Sequence, residues 1–179
     1  MSEAWPWPAP PDDGAAAHLV PGLSLPSLAL PSTAGVEIDP SRVGGILVLF
    51  VYPFTGTPGE PNPLGWDHIP GAHGSTPEAE GFRDRAAQFA LRGAKVMGLS
   101  AQRLAEQEAF ARRAALTFPL LSDEGFGFAD SLRLPRFATG GVCYLKRLTL
   151  IARDGIVECC HYPVHPPHSH ADAVLASLG

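Results

Sequence analysis

The sequence is short of charge, of sulfur and of long apolar runs. Charged residues are 17% of its 179 residues, with 13 Lys and Arg against 18 Asp and Glu for a formal net charge of -5. No basic run or stripe stands ready to neutralise phosphates, which excludes a general nucleic-acid binder. No apolar run reaches the roughly 18 residues that cross a bilayer, so no membrane span is expected. Residues 1–22 carry no basic stretch followed by an apolar one, and no secretory signal is expected either. The cysteines, Cys143, Cys159 and Cys160, are odd in number and lack CxxC spacing. They make a poor disulfide framework and fit a reducing compartment, by default the cytoplasm.

Proline and glycine are abundant, nineteen of each, and they gather between the periodic segments, where they mark loops. Residues 1–22 include Trp5-Pro-Trp-Pro-Ala-Pro-Pro and read as a flexible lead, docked at most through Trp5 or Trp7. Residues 23–179 are expected to form one domain, long enough to bury a core.

Within it, the alternation after Leu23 and the turn near Thr33-Ala-Gly35 predict a short N-terminal hairpin. Gly45–Tyr52 is a continuous apolar run of strand length, read as a central strand buried on both faces. A long Gly/Pro loop, 53–74, leads to a helix over Glu78–Leu91, with Phe82, Ala86, Phe89 and Ala90 on one stripe. A second strand over Ala94–Ser100 and a helix over Gln102–Ala115 follow. After them come a short apolar segment at Thr117–Leu121, a brief helix near Gly125–Ser131, a hairpin turning at Asp154-Gly155 and a last helix over Ser169–Leu178. Strand, helix, strand, helix, antiparallel hairpin and closing helix is the thioredoxin-like order. The expected class is α/β, a central mixed sheet with flanking helices.

The candidate site is the start of the first helix. Ser75-Thr-Pro-Glu78 satisfies the capping-box pattern, with Ser75 as cap, Glu78 reaching back to it and Pro77 in the first turn. The same helix start follows a buried strand, so its unpaired amides and positive dipole end would face the carboxyl edge of the sheet. A thiol there would be held as thiolate. Arg147, expected on a neighbouring strand, could hold a substrate and stabilise charge moving onto a leaving oxygen.

At this point the chain resembles a known family. Leu25-Pro26, Ser32-Thr-Ala-Gly35, Val51-Tyr-Pro53, Gly74-Ser-Thr-Pro-Glu-Ala79, Gly81-Phe-Arg-Asp84, Val96-Met-Gly-Leu-Ser100, Phe118-Pro-Leu-Leu-Ser-Asp123, Arg147-x-Thr149 and Asp154-Gly155 occur in order. From Gly22 onward they resemble peroxiredoxins of the bacterioferritin-comigratory, or peroxiredoxin Q, type. The resemblance implies a thiol-dependent peroxidase that reduces hydrogen peroxide or organic hydroperoxides and needs no cofactor or metal. Its reductant would be thioredoxin, glutaredoxin or a low-molecular-weight thiol. It puts the peroxidatic cysteine at Ser75, the active-site arginine at Arg147, a common resolving cysteine at Glu80 and the active-site threonine at Ala72, with Thr55 as the substitute. Glu78 would orient the helix start and Arg147.

Sulfur is therefore missing from the nucleophile and from a common resolving position. A serine hydroxyl has no sulfenate state and is not ionised near neutral pH. Two readings stay open. In one, Ser75 is an engineered replacement in an otherwise intact motif, which the surrounding Pro-Glu-Ala, Phe-Arg-Asp and Arg147 favour. In the other, Ser75 is native and the chain is a catalytically silent protein for binding or chaperone-like work.

If the hairpin runs unbroken from Asp154-Gly155, Thr149 falls opposite Cys160 and Arg147 opposite Tyr162. Cys160 then shares Arg147's face and is a candidate resolving thiol, against the plainer role of a small buried hydrophobe. Cys143 and Cys159 receive no catalytic role. His161, His165, His168 and His170 suggest a metal-binding module, the weakest alternative, because Pro163, Pro166 and Pro167 interrupt them and the spacing matches no standard zinc site. His73, two residues before Ser75, could tune a thiolate, while Trp66 and Ile69 are expected to pack the long loop down.

Overall fold

The six residues Ile46–Val51 have no polar side chain, and a strand of that kind has only one stable place, the middle of a sheet covered on both faces. The computed structural model, which describes residues 4–179, puts it there. The elements in chain order are β1 (Leu30–Pro31), β2 (Glu37–Ile38), β3 (Ile46–Val51), α1 (Ser75–Asp84), α2 (Ala86–Leu91), β4 (Ala94–Ser100) and α3 (Leu104–Arg113). They continue with β5 (Leu120–Ser122), α4 (Gly127–Leu132), β6 (Arg136–Thr139), β7 (Val142–Leu145), β8 (Leu148–Arg153), β9 (Ile156–His161) and α5 (His170–Ser177). The main sheet has the order β5-β4-β3-β8-β9. β3, β4 and β5 are parallel, and β8 and β9 join antiparallel. This is the mixed thioredoxin-like sheet, and β1–β2 is the expected N-terminal hairpin in reduced form.

Strand alternation sorts the core into two layers. Val48, Phe50 and Ile151 face Phe82 and Phe89 of α1 and α2, Phe110 of α3 and Val174 of α5. Leu47, Leu49, Leu148 and Leu150 face Phe128 and Leu132 of α4. Each fully buried Phe or Leu contributes about 1.5–3 kcal/mol by leaving water. The second layer also holds Ala16 and Leu19. Over its described residues the Pro/Ala-rich lead is thus laid along the domain, where Ala16 and Leu19 join α4 in completing this core layer.

Two further expectations change. The helix over 78–91 begins earlier, at Ser75, and breaks at Arg85, whose φ of -102° and ψ of 8° stop the α-helical ladder between α1 and α2. Phe82 and Phe89 still share one buried face. The segment before β8, to which the sequence assigns no element, forms the two-stranded sheet β6–β7, with Cys143 exposed on it.

The β8–β9 hairpin turns at Asp154-Gly155, both with positive φ (49° and 80°), as a two-residue primed turn requires. A side chain at Gly155 would also place its Cβ 2.4 Å from the Ser41 carbonyl oxygen. The pairing is not unbroken, however. Ala152 pairs with Val157 but Ile151 with Cys159, so Glu158 is bulged out. Thr149 consequently lies opposite His161, and Leu150 opposite Cys160.

Candidate functional site

The parallel strand β3 ends at Val51, and the chain returns to the same end of the sheet to start α1 at Ser75. The returning loop is anchored by Trp66, which packs edge-on against Phe54 and Tyr144 with ring centroids 5.5 and 5.0 Å apart. Trp66, Ile69 and Ala72 share this cluster, as a loop-packing role predicts.

Gly74 is the cap of α1, with φ 114° in the range that only glycine adopts easily. A Cβ there would lie 2.2 Å from Pro167 Cγ and 3.0 Å from Trp5 Cζ2, so glycine is required by space as well. The expected capping box does not form. Ser75 is the first helical residue, no side chain caps the helix, and Glu78 turns inward.

Glu78 turns inward because Arg147 is there. Arg147, one residue before β8, donates from Nη1 to Glu78 Oε2 in a contact buried from solvent on both sides. Its Nη2 donates to Ser75 Oγ at 3.1 Å and to the carbonyl oxygens of Ala72 and His73 at 3.3 and 3.2 Å. Four residues of one chain segment are therefore gathered by a single guanidinium. Ser75 is 3% exposed, Arg147 4% and Glu78 fully buried.

Burial pushes the Glu78 carboxyl up to about 7, against the pull of the adjacent Arg147 charge. Glu78 Oε1 and Arg147 Nε have no partner among the described residues. A pair held this way fixes the arginine's plane over position 75 and leaves the guanidinium able to stabilise negative charge built up there.

The other candidates divide. Thr55 is buried, and its N–H and Oγ1 both donate to Gln102 Oε1, at 2.9 and 3.2 Å, with no hydrogen bond to Ser75 or Arg147. Gln102 carries no signal in the sequence, since it reads there as one more helix-start residue. His73 joins the site through its carbonyl. Its ring is bonded to Asp67 at 2.7 Å and stacked on Trp7 with centroids 3.8 Å apart. The Glu158 bulge sends Cys160 to the layer containing Leu148 and Leu150, on the face opposite Arg147, and burial pushes its thiol up to about 12. The expectation that Cys160 shares Arg147's face is thereby overturned. Cys159 takes that face instead, packed in the helical layer.

Thr149 and His170 carry no pairing signal in the sequence, yet they back the site with a buried 2.8 Å hydrogen bond. Burial, His161 and Arg147 lower the His170 imidazole to about 3, so it is neutral. No group of three or more His, Cys, Asp or Glu side chains among the described residues is arranged to hold a metal ion. No described helix is long and apolar enough to cross a membrane.

Known proteins share this arrangement of fold and segments. Residues 69–159 match the AhpC/TSA family. The chain is 28% identical over 158 residues to a chloroplastic peroxiredoxin Q of Populus jackii, covering 88% of this chain and 67% of that protein. Among solved structures, the Mycobacterium tuberculosis peroxidoxin BcpB superposes with a TM-score of 0.71 at 28% identity, over 89% of this chain and 96% of its own. The Xanthomonas campestris bacterioferritin comigratory protein, described for alkyl peroxide reduction, gives 0.70 at 27% identity, over 88% and 96%. With the family match running from the loop before Ser75, through Arg147, into β9, the chain belongs to the AhpC/TSA family as a peroxiredoxin Q-like protein of thioredoxin-like fold.

Proposed function

We propose that the chain is the serine form of a thiol-dependent peroxidase, and that position 75 carries the reacting group when it is cysteine. The observation that carries this reading is the Arg147 guanidinium, buried, aligned by Glu78 and donating to the side chain at position 75. In the Ser75→Cys form the thiolate would attack one oxygen of a hydroperoxide. The S–O bond forms as the O–O bond breaks, sulfur is oxidised to a sulfenic acid, and the second oxygen leaves as an alcohol or water after taking a proton. Arg147 stabilises charge on both oxygens, and the positive end of α1 holds the thiolate.

Two reducing thiols then return the sulfenic acid to thiol, giving a disulfide and water. With Glu80 at a common resolving position and Cys160 turned away, they come from a partner: thioredoxin, glutaredoxin or a low-molecular-weight thiol. Hydrogen peroxide and organic hydroperoxides are the substrate classes. The three unpaired cysteines support a reducing compartment, by default the cytoplasm. Thr55, held by Gln102, is a further contributor under this reading.

The second reading, a natively silent binding protein, draws on how completely Ser75 is accommodated, with its hydroxyl accepting from Arg147 at 3.1 Å. Peroxide consumption by this chain beside a Ser75→Cys form, with dithiothreitol and then thioredoxin as reductant, separates the two. Turnover in the Ser75→Cys form alone supports the peroxidase. Silence in both, with the Ser75→Cys protein folded, supports the binding protein. Turnover in both would move the nucleophile to Cys143, Cys159 or Cys160.

A further inference from the structure

The N-terminal segment does more than fill a core layer. Between Trp5 and Pro10 it runs antiparallel to the 71–74 loop. Trp5 lies against Gly74, Trp7 stacks on His73, Pro8 accepts from the Gly71 N–H at 3.2 Å, and Pro10 packs on Gly71. The loop it covers is the one whose Ala72 and His73 carbonyls hold Arg147.

Past Pro11, Asp13 closes the far end with hydrogen bonds from Lys146 Nζ and the Tyr162 hydroxyl, both at 2.7 Å. Between the segment and the body is a cavity of about 320 Å³, lined by Pro10, Pro11, Ile69, Pro70 and Phe137, with Arg147 on its wall. That is the low end of the range for small-molecule pockets.

We propose that residues 5–13 are a strap that gates position 75 by size, admitting hydrogen peroxide and small thiols and turning away bulky hydroperoxides and protein reductants until it lifts. The attachment suits a gate. Pro6, Pro8, Pro10 and Pro11 have no N–H to donate, so the strap is held by one backbone bond, the Trp5 and Trp7 rings and the Asp13 side chain. Segments with few backbone bonds open at low free energy. Proline also restricts the lifted strap, which lowers the entropy cost of docking again.

The gate takes its meaning from position 75 as the reacting centre, but its test needs no turnover. In the full-length Ser75→Cys chain, alkylation of position 75 by iodoacetamide and by fluorescein maleimide is followed by peptide mass spectrometry. The same is done with Trp7→Ala or with Asp13→Asn added. Loss of either latch should raise maleimide labelling about fivefold, the shift in opening expected from one stacked aromatic pair or one charged latch, while iodoacetamide labelling changes less than about twofold. An equal rise for both reagents, or no change for either in the folded variants, overturns the gate. Asp13 is an exposed side chain, so with Asp13→Asn the test does not depend on tolerance of Trp7→Ala. Failure of the peroxidase reading would show as labelling without turnover, which leaves the gate standing.

Discussion

Two regions of the molecule are rich in reactive side chains, and they are built in opposite ways. Between Cys159 and His170 the chain packs two cysteines and four histidines into one short stretch. The fold gives most of them separate partners: Cys159 and Cys160 enter different core layers, His161 bonds Ser177 and meets the His170 ring edge-on, His170 bonds Thr149, His168 meets Trp5, and His165 is exposed. Ser75 and Arg147 are 72 residues apart, and the fold brings them within 3.1 Å. Density along a chain and convergence in space are separate properties. Only the second builds a site, because catalysis and metal binding both need groups aimed at one point.

The largest expected effect lies in the convergent region. Arg147→Met leaves Glu78 buried without its partner and should cost roughly 3–5 kcal/mol in chemical denaturation. Replacing both, Arg147→Met with Glu78→Met, should recover much of that loss, since no charge remains to be desolvated. A single variant within about 0.5 kcal/mol of the parent would show that the pair is not held as the structure has it.

Next in size is a pH effect that sets one region against the other. His170 titrates at about 3 folded against 6.5 unfolded, so within that window the unfolded chain binds a proton the folded one refuses. Stability therefore falls as pH drops from 6.5 toward 3. Glu78 titrates at about 7 folded against 4.5 unfolded, and its contribution falls as pH rises between those values. Below pH 4.5 His170 acts without that opposition, and His170→Asn should flatten this limb of a stability-against-pH curve measured in urea. An unchanged limb would mean the imidazole is not buried neutral.

A smaller effect concerns the native thiols. Cys143 is exposed, whereas burial holds the Cys160 thiol at about 12. Alkylation at about pH 8 followed by peptide mapping should modify Cys143 first and Cys160 last. The reverse order would place Cys160 in an open, electropositive setting. Least of all should happen on adding zinc. With no three of these side chains gathered among the described residues, gel filtration should leave well under one Zn²⁺ per chain, and stoichiometric retention would refute that separation.

Much of this fold is legible in the sequence. The apolar runs of β3 and β4, the Asp-Gly turn and the helix periodicities each follow from short-range rules, and their order implies the mixed sheet. Ser75 and Arg147 are also legible, through motifs that recur in a family. What escapes is whatever depends on a partner distant in the chain. Glu78 reads locally as half of a capping box, and only the buried Arg147 turns it inward. Trp5 and Trp7 sit in a composition that resembles a linker, and their docking depends on surfaces formed by residues 71–74 and 167–168. β6 and β7 are too short and too mixed to show a period. Gln102 has no motif at all.

The bulge at Glu158 belongs with these, and its effect is one of parity. In a strand the choice between two faces is a matter of odd or even position, so one supernumerary residue inverts the assignment of everything beyond it. Drawing Glu158 back into the ladder would act on β9 as a frameshift acts on a message. Cys160 would take the face that holds Thr149 and Arg147, Cys159 would move to the opposite layer, and a buried spectator would become the thiol aligned with the site.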